Sequence, residues 1–461
     1  MTDALCKATD GFCSWVDRYL NFEKNPKKGI FWLETMRFLC KKLGNPQNFC
    51  RCIHVAGSKG KGSISRMIAS VVEEYGFSCG IYSSPHIVDF NERISTIHGP
   101  FEDCVYKKSA EEVVSCVEGI SDEEWPGGRQ PTWFELVTLY AFCCFRNAGV
   151  DFVVYEVGMG GRLDATNVVS PECCCINTIE LEHTEYLGDT LELITGEKAG
   201  IIKENVPVVI GWQKDNCVED VFQKIAGEKK APLIFAEKEA SVSVKGYARQ
   251  KSDPCVVMEA SLKSRFFESD INASLRLLGE FQAKNAAVAA LAVKTVFKDI
   301  SGEKIEKGLA KAFLPARFEI LSAPEPFCGI KSLVLDGAHT VNSVRYTMET
   351  FKNIFGGKTA KENAVLLFAC ASDKDVEDIA PCFKGSFTSV FLTKPGYEKG
   401  SDLPRLDMAF DSASIEHVLI EDCEKGIRAA FEKASSEKSL LLVTGSFYLI
   451  SEVRKLLWQC S

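Results

Sequence analysis

Apolar residues fall along the chain in short runs separated by amphipathic stretches. The run Cys52-Ile53-His54-Val55-Ala56 ends in glycines and reads as a buried strand. Residues 63–75 then repeat apolar side chains at helical spacing (Ile64, Met67, Ile68, Val71, Val72). The alternation recurs: 78–84, 151–157, 173–178, 206–211 and 232–236 read as strands, and 132–148, apolar nearly all round, as a buried helix. Residues 1–50 read as one or two helices that stop at Asn45-Pro46. The stretch 240–275 alternates more (Val242, Val244, Val256, Met258), which suggests a smaller antiparallel patch, and 282–297 is an Ala-rich helix. A second series follows Pro315, with strands at 333–335, 365–369, 390–393 and 440–443 and a helix at 424–434. Strands alternating with helices predict an α/β fold whose mostly parallel sheet is covered on both faces. The expected division is a larger domain over 1–312 and a smaller Rossmann-like α/β domain over 313–461.

Composition changes this picture little. Apolar residues make up 46% of the chain and charged residues 25%, as in ordinary globular proteins. A net charge of −9, with no block of five basic residues, argues against a nucleic-acid binder. No apolar run approaches the roughly 20 residues of a membrane span. Twenty cysteines would suggest disulfides in a secreted chain, but residues 1–20 carry Asp3, Asp10 and Asp17 and read as no signal peptide. Cys143-Cys144 and Cys173-Cys174-Cys175 sit inside apolar runs, and Cys50 and Cys52 lack metal-site spacing. Reduced thiols in the cytoplasm are therefore expected.

Chemistry concentrates where strands end. Gly57-Ser58-Lys59-Gly60-Lys61-Gly62-Ser63 joins a strand to a helix, as a phosphate-binding turn does. Glycines let backbone N–H groups face phosphate oxygens; Lys61 would reach the β- and γ-phosphates and Ser63 would face Mg²⁺. The turn departs from the common pattern because Gly62 separates Lys61 from Ser63. Glu156 ends another apolar strand before a Gly-rich turn, where it reads equally as a metal ligand or an ion-pair partner. His183 follows a third strand, and by pattern alone is more often a hydrogen-bonded polar residue than a ligand. Lys198, by the same standard, is a solvated helix lysine. Asp336 and His339 follow a strand of the second series and are open between a structural and a nucleotide-binding role.

Taken together these residues resemble the folylpolyglutamate synthase and dihydrofolate synthase family, a branch of the Mur ligases. The resemblance runs from about Tyr19 to Arg454. It rests on the phosphate turn, on Ser84-Pro85-His86 and Asn91-Glu92-Arg93-Ile94 with its mobile loop, and on Thr132, Phe134 and Glu135. It also rests on the E-V-G-x-G-G-R-x-D-A-T-N run at 156–167, on Glu197-Lys198-Ala199-Gly200-Ile201, on Gln282 with Asn285, and on Pro315-x-Arg317-Phe318. Asp336-x-Ala338-His339 and Thr444-Gly445-Ser446-Phe447-Tyr448-Leu449 complete the order. Three positions differ from the family pattern: Glu182 stands for the usual Asp before His183, Ser58-Lys59 for Thr-Asn, and Thr340-Val341 for Asn-Pro.

The resemblance implies a Mur-ligase-like P-loop ATPase domain followed by a glutamate-ligase domain. It implies an ATP-dependent enzyme that adds L-glutamate to dihydropteroate, to a reduced folate (poly)glutamate, or to both, through an acyl phosphate. Gly57, Ser58, Lys59, Gly60, Lys61, Gly62, Ser63, Asn285, Arg317, Asp336 and His339 would bind ATP. Ser63, Ser84, Glu156 and His183 would hold two Mg²⁺ ions, with a monovalent cation as a further candidate. Thr132, Phe134 and Asp164 would border the pterin. Lys198 would carry a carbamate, which reverses its solvated reading. Lys61, Glu156, His183 and Lys198 are accordingly expected to converge on one triphosphate. A monomer acting on small molecules, with neither nucleic acid nor membrane as partner, is expected. Asp164 leans towards the bifunctional enzymes. A cell-wall Mur ligase and a non-catalytic ATP-binding module are the competing readings, separated by acceptor assays and by ADP formation.

Overall fold

The computed structural model describes residues 2–21, 32–249, 256–356, 364–396 and 400–460. The chain forms two compact units. The first comprises Met1–Ser243, Ser261–Ala273 and Lys284–Phe313; the second comprises Val244–Ala260, Ser274–Ala283 and Leu314–Ser461.

The first unit is built on eight strands: β1 (Arg51–Ala56), β2 (Cys79–Tyr82), β3 (Ile94–Thr96), β4 (Gly99–Pro100), β5 (Phe152–Glu156), β6 (Cys173–Ile176), β7 (Val208–Ile210) and β8 (Leu233–Phe235). Their order is β4-β3-β2-β5-β1-β6-β7-β8. β1 lies between β5 and β6 and is parallel to both. β3 and β4 add an antiparallel edge. The five strands predicted after the first correspond to β2, β5, β6, β7 and β8, whereas β3 (Ile-Ser-Thr) and β4 (Gly-Pro) lack an apolar run.

The helices that cover this sheet follow from local chemistry. α1 (Lys61–Tyr75) starts directly from the glycine-rich turn and buries Ile64, Met67, Ile68, Val71 and Val72. α2 (Trp133–Ala148) is buried nearly all round because it lies inside the aromatic core of the unit. Its first turn is closed by a capping box: Glu135 N–H donates to Thr132 Oγ1 at 3.3 Å, and Thr132 N–H to Glu135 Oε2 at 2.7 Å. Phe142 and Phe145 meet Tyr155 of β5 with ring centroids 5.3 and 5.8 Å apart. Where α3 (Gly302–Lys311) crosses α1, Gly308 has no room for a side chain, since a Cβ there would lie 2.5 Å from Val71 Cα. Every cysteine whose side chain is described is a free thiol. Burial pushes Cys40 and Cys143 up to about 12, so they pack as small apolar residues.

A three-stranded sheet, ordered β11-β10-β9, uses β9 (Ala240–Arg249), β10 (Val256–Ser264) and β11 (Ile271–Leu275), and its residues are shared between the two units. It stands where sequence alternation suggested a smaller patch; positions 250–255 of that stretch lie outside the described residues. The second unit carries a sheet of β12 (Glu319–Leu321), β13 (Ser332–Asp336), β14 (Ala364–Phe368), β15 (Ser389–Leu392), β16 (Val418–Leu419) and β17 (Leu440–Thr444). The order is β12-β13-β17-β14-β15-β16. Only β12 is antiparallel to its neighbour. The fold is thus mixed α/β, a large mostly parallel sheet with a separate C-terminal α/β unit. No described helix is long and apolar enough to cross a membrane.

Candidate functional site

Strand register assembles the first site. Val55 pairs with Glu156, and Ala56 with Ile176, so β1, β5 and β6 end in one row. Tyr82 pairs with Tyr155, which brings the segment starting at Ser83 and Ser84 to the same edge beside Glu156. Ligands of open α/β sheets bind at this carboxyl edge, where crossovers diverge on either side of a central strand. Lys61, at the first position of α1, folds back to donate to Gly57 O at 3.0 Å. Ser63 is buried in the first turn of the same helix.

Lys198 comes to this point from far along the chain. It lies in the last turn of α4 (Leu191–Ala199), is 2% exposed, and donates to the same carbonyl, Gly57 O, at 3.3 Å. The expectation of a solvated helix lysine is therefore wrong: the helix buries its C-terminal turn against the glycine-rich turn, 141 residues away in sequence. Glu182 Oε1 receives a 2.8 Å bond from Lys198 Nζ, while its Oε2 stands 3.8 Å from Lys59 Nζ. Burial raises the Glu182 pKa, but Lys198, Lys61 and Lys59 outweigh it and leave the carboxyl at about 2. Burial lowers Lys198 to about 8, against the pull of Glu182 and with the help of Lys61 and Lys59. A buried amine of this kind is partly neutral near physiological pH.

His183 has a left-handed backbone, φ 49° and ψ 38°, an uncommon state for a residue with a side chain. Its pKa is lowered by partial burial and by Lys61, Lys198 and Lys59, against Glu182, so the ring is held towards the neutral form that ligates metals. Glu156 is 4% exposed and lies within electrostatic reach of Arg66 on α1. Among the described residues no group of three His, Cys, Asp or Glu side chains is arranged to hold a metal. The segment around Ser84 is tightly bonded: Glu92 accepts from the backbone N–H groups of Ile87, Val88 and Asp89 at 2.7–3.0 Å, and Arg93 donates to His86 Nδ1 at 2.7 Å.

Phe134 and Asp164 meet at the turn after Glu156. A Cβ on Gly158 would lie 2.4 Å from Phe134 Cζ. Asp164 Oδ2 accepts from Gly158 N–H and Met159 N–H at 3.1 and 3.0 Å, and its Oδ1 from Thr166 N–H and Oγ1. Both oxygens of Asp164 are thus engaged in shaping the turn, and burial raises its pKa against those bonds. Thr132 lies one residue before α2, as its N-cap.

The second unit holds its own cluster. Arg317 Cζ lies 4.4 Å from the centroid of the Phe447 ring, and His339 meets the same ring edge-on at 5.8 Å. Asp336 Oδ1 accepts from Ala338 N–H and Thr347 Oγ1, both at 2.9 Å, and Oδ2 from Phe318 N–H at 2.7 Å. Burial raises its pKa while Thr347, Arg317 and the backbone donors oppose. Phe447, which links Arg317 to His339, was not singled out from sequence as a site residue; its signal there is its place in the family run Thr444-Gly445-Ser446-Phe447-Tyr448-Leu449. Asn177 was missed too, although it directly follows β6. Its amide Nδ2 donates at 2.9 Å both to Lys59 O and to Asn285 Oδ1.

Two family models match the chain: the Mur ligase middle domain over residues 55–293 and the Mur ligase glutamate ligase domain over 316–447. The chain is 32% identical to the dihydrofolate synthase/folylpolyglutamate synthase of Bacillus subtilis (strain 168), over 96% of this chain and 97% of that one. It is similar in structure to Mycobacterium tuberculosis folylpolyglutamate synthase complexed with ADP, at a TM-score of 0.81, 26% identity and 98% coverage of both chains. It also resembles E. coli FolC in complex with DHPP and ADP, at a TM-score of 0.80, 26% identity and 97% coverage of both.

Proposed function

The chain belongs to the Mur ligases, in the folylpolyglutamate synthase and dihydrofolate synthase family of ATP-dependent ligases, and from that premise we propose how its site works. It adds L-glutamate to dihydropteroate, to a reduced folate (poly)glutamate, or to both. The observation that carries this reading is the meeting of Lys61 and Lys198 on Gly57 O, with Glu182 bonded to Lys198. Lys61 thereby sets positive charge at a glycine-rich helix start on a protein whose net charge is −9, and the buried Lys198 amine, held at about 8, is partly neutral, the form to which carbon dioxide adds.

A carboxylate is a poor electrophile, so the acceptor must be activated. Its oxygen attacks the γ-phosphorus of ATP, ADP leaves, and an acyl phosphate forms. The neutral amine of glutamate then attacks the carbonyl carbon; phosphate departs, a proton is lost and the amide remains. In this reading the backbone of 59–62 cradles the phosphates, Gly57 and Ser58 complete the turn, and Lys61 holds charge on the transferring group. Asn285, Arg317, Asp336 and His339 contact the nucleotide. Thr132 and Phe134 border the pterin, and Asp164 acts on that border through the Gly158 turn.

Mg²⁺ fits the donors at hand. Mg²⁺ takes one or two carboxylates and completes its shell with substrate phosphates and water, so a site with Glu156, Ser63 and Ser84 around a nucleotide suits it without an all-protein cage. His183 would serve a second ion, with Lys198 as a carbamate beside it, and a monovalent cation belongs to the same reading. Bound Mg²⁺ would neutralise charge that builds on the phosphoryl oxygens. A reducing cytoplasm accords with the free thiols of the described cysteines, and a monomer belongs to the same reading.

The test is ADP release with glutamate and, in parallel, dihydropteroate, a reduced folate and a UDP-linked peptide acceptor. Turnover is expected with one or both pterins. Turnover with the UDP-linked acceptor alone would overturn the substrate assignment. Lys61→Ala should lose at least about 100-fold in turnover; near-normal activity would remove the phosphate-binding role of 57–63.

A further inference from the structure

A turn that points its N–H groups inward at phosphate must point its carbonyls outward, and each buried carbonyl then needs a donor. Around this turn those donors are identifiable. Gly57 O takes both lysines. Gly60 O takes Ile64 N–H at 2.9 Å within α1. Ala56 O takes the backbone N–H of Asn177 at 3.0 Å; among the turn's own donors Ser58 N–H is the exception, spent on Thr178 O at 2.9 Å. Lys59 O takes the side chain of Asn177.

We propose that Asn177 is a positioning residue for ATP: its one NH₂ group holds the outward carbonyl of Lys59 and the carbonyl oxygen of Asn285 together, fixing the turn in its phosphate-binding form. This rests on the reading of 57–63 and Asn285 as ATP contacts. An amide suits the position because a single nitrogen must supply two donors at 2.9 Å. A carboxylate would face both oxygens with none, and an apolar side chain of the same shape would remove both bonds.

The surroundings are shaped to this residue. A Cβ on Gly60, where φ is +81°, would lie 2.4 Å from Asn177 Nδ2 and 2.8 Å from Asn285 Oδ1. A Cβ on Gly57 would lie 2.9 Å from Asn177 N, and one on Gly211 would lie 2.1 Å from its Oδ1. Three glycines from two segments, the phosphate turn and the residue after β7, leave a slot for one amide. Gln213 pins the backbone on both sides, donating to Asn177 O at 3.3 Å and accepting from Ile179 N–H at 3.0 Å. Asn177 is itself 5% exposed, so water does not replace these bonds.

The experiment compares Asn177→Leu and Asn177→Asp with wild type in steady-state ligation, varying ATP and the pterin acceptor separately. Thermal midpoints are taken with and without a non-hydrolysable ATP analogue. For Asn177→Leu, loss of two buried hydrogen bonds should raise KM for ATP by roughly tenfold or more. KM for the acceptor should stay within about twofold, and the analogue should lose most of its stabilising shift. Asn177→Asp, close to Asn in size and shape, should show the same split. An unchanged KM for ATP, with kcat and the nucleotide-free midpoint falling together, would make Asn177 an ordinary packing residue and overturn the proposal. Lys61→Ala separates the two levels. If it stays active, the phosphate-loop reading fails. If it is inactive while both Asn177 variants keep their KM for ATP, only this inference fails.

Discussion

Glu182→Gln keeps the shape of the side chain and deletes its charge, which isolates what the carboxylate does for Lys198. With Lys198 as the free amine, its form in carbonate-free buffer, Glu182 Oε1 lies 2.8 Å from Lys198 Nζ, with side-chain exposures of 15% and 2%. Without the carboxylate, Lys198 faces Lys59 and Lys61 with no counter-charge beside it. Breaking such a buried pair costs about 3–5 kcal/mol. A ceiling also applies, because the ammonium can shed its proton. Against wild type that limits the loss to about 1 kcal/mol at pH 7 and about 3 kcal/mol at pH 6, from about 1.36 kcal/mol per unit below the wild-type value of about 8. The pH dependence follows from proton counts. Folded wild type holds Lys198 at about 8, below its unfolded value, so the folded state binds fewer protons and stability rises with pH from about 8 until lysine titrates in the unfolded chain. In the variant the folded value drops further. The deficit against wild type is then largest below the variant's value, narrows as pH climbs towards about 8, and is level above it. Urea unfolding followed by tryptophan fluorescence reads this, since Trp15, Trp125 and Trp133 are buried in the first unit. The expected loss is about 3 kcal/mol at pH 6 and less than half of that at pH 8.5. Equal losses at the two pH values, or a loss below about 0.5 kcal/mol at pH 6, would refute the argument that Glu182 holds the charge on Lys198.

Three further outcomes are expected. Lys198→Ala should be inactive in ligation and partly recover with small added carboxylic acids; full activity without them would remove the carbamate role. Phe447→Ala frees Arg317 from an aromatic face worth about 0.5–2 kcal/mol, so KM for ATP should rise by about 2- to 30-fold. An unchanged value in ATP-dependent kinetics would detach this cluster from the nucleotide. Asp164→Asn turns an NH₂ towards a pair of donors that now have an acceptor, and should destabilise the first unit by about 1–3 kcal/mol. It should also lower kcat/KM for the pterin more than for ATP, and equal losses for the two substrates would count against its action on the pterin border.

Parts of the fold that depend on near neighbours in the chain were legible before any coordinates. The strand, glycine turn and α1 follow one another directly, and their spacing states what each does. α2 was readable for the same reason, through its continuous apolar run and its Thr132–Glu135 cap. The strands β3, β4, β12 and β16 were not, because each has polar or turn residues in it or directly beside it and becomes a strand only through a partner.

In the site, the same division separates residues by the range of their contacts. Lys61 and Glu156 announce themselves beside glycines at strand ends. Lys198 reads as an ordinary helix lysine until α4 brings it to Gly57, and Asn177 reads as nothing until Lys59, Gln213 and Asn285 surround it. Residue order specifies which backbone conformations and which buried faces are available, since those rest on steric and apolar spacing within a few positions. Burial and charge pairing are set by groups from 16 to 141 positions apart, so the ionisation of Lys198 and the partners of Asn177 exist only once the sheet has brought those groups to one edge.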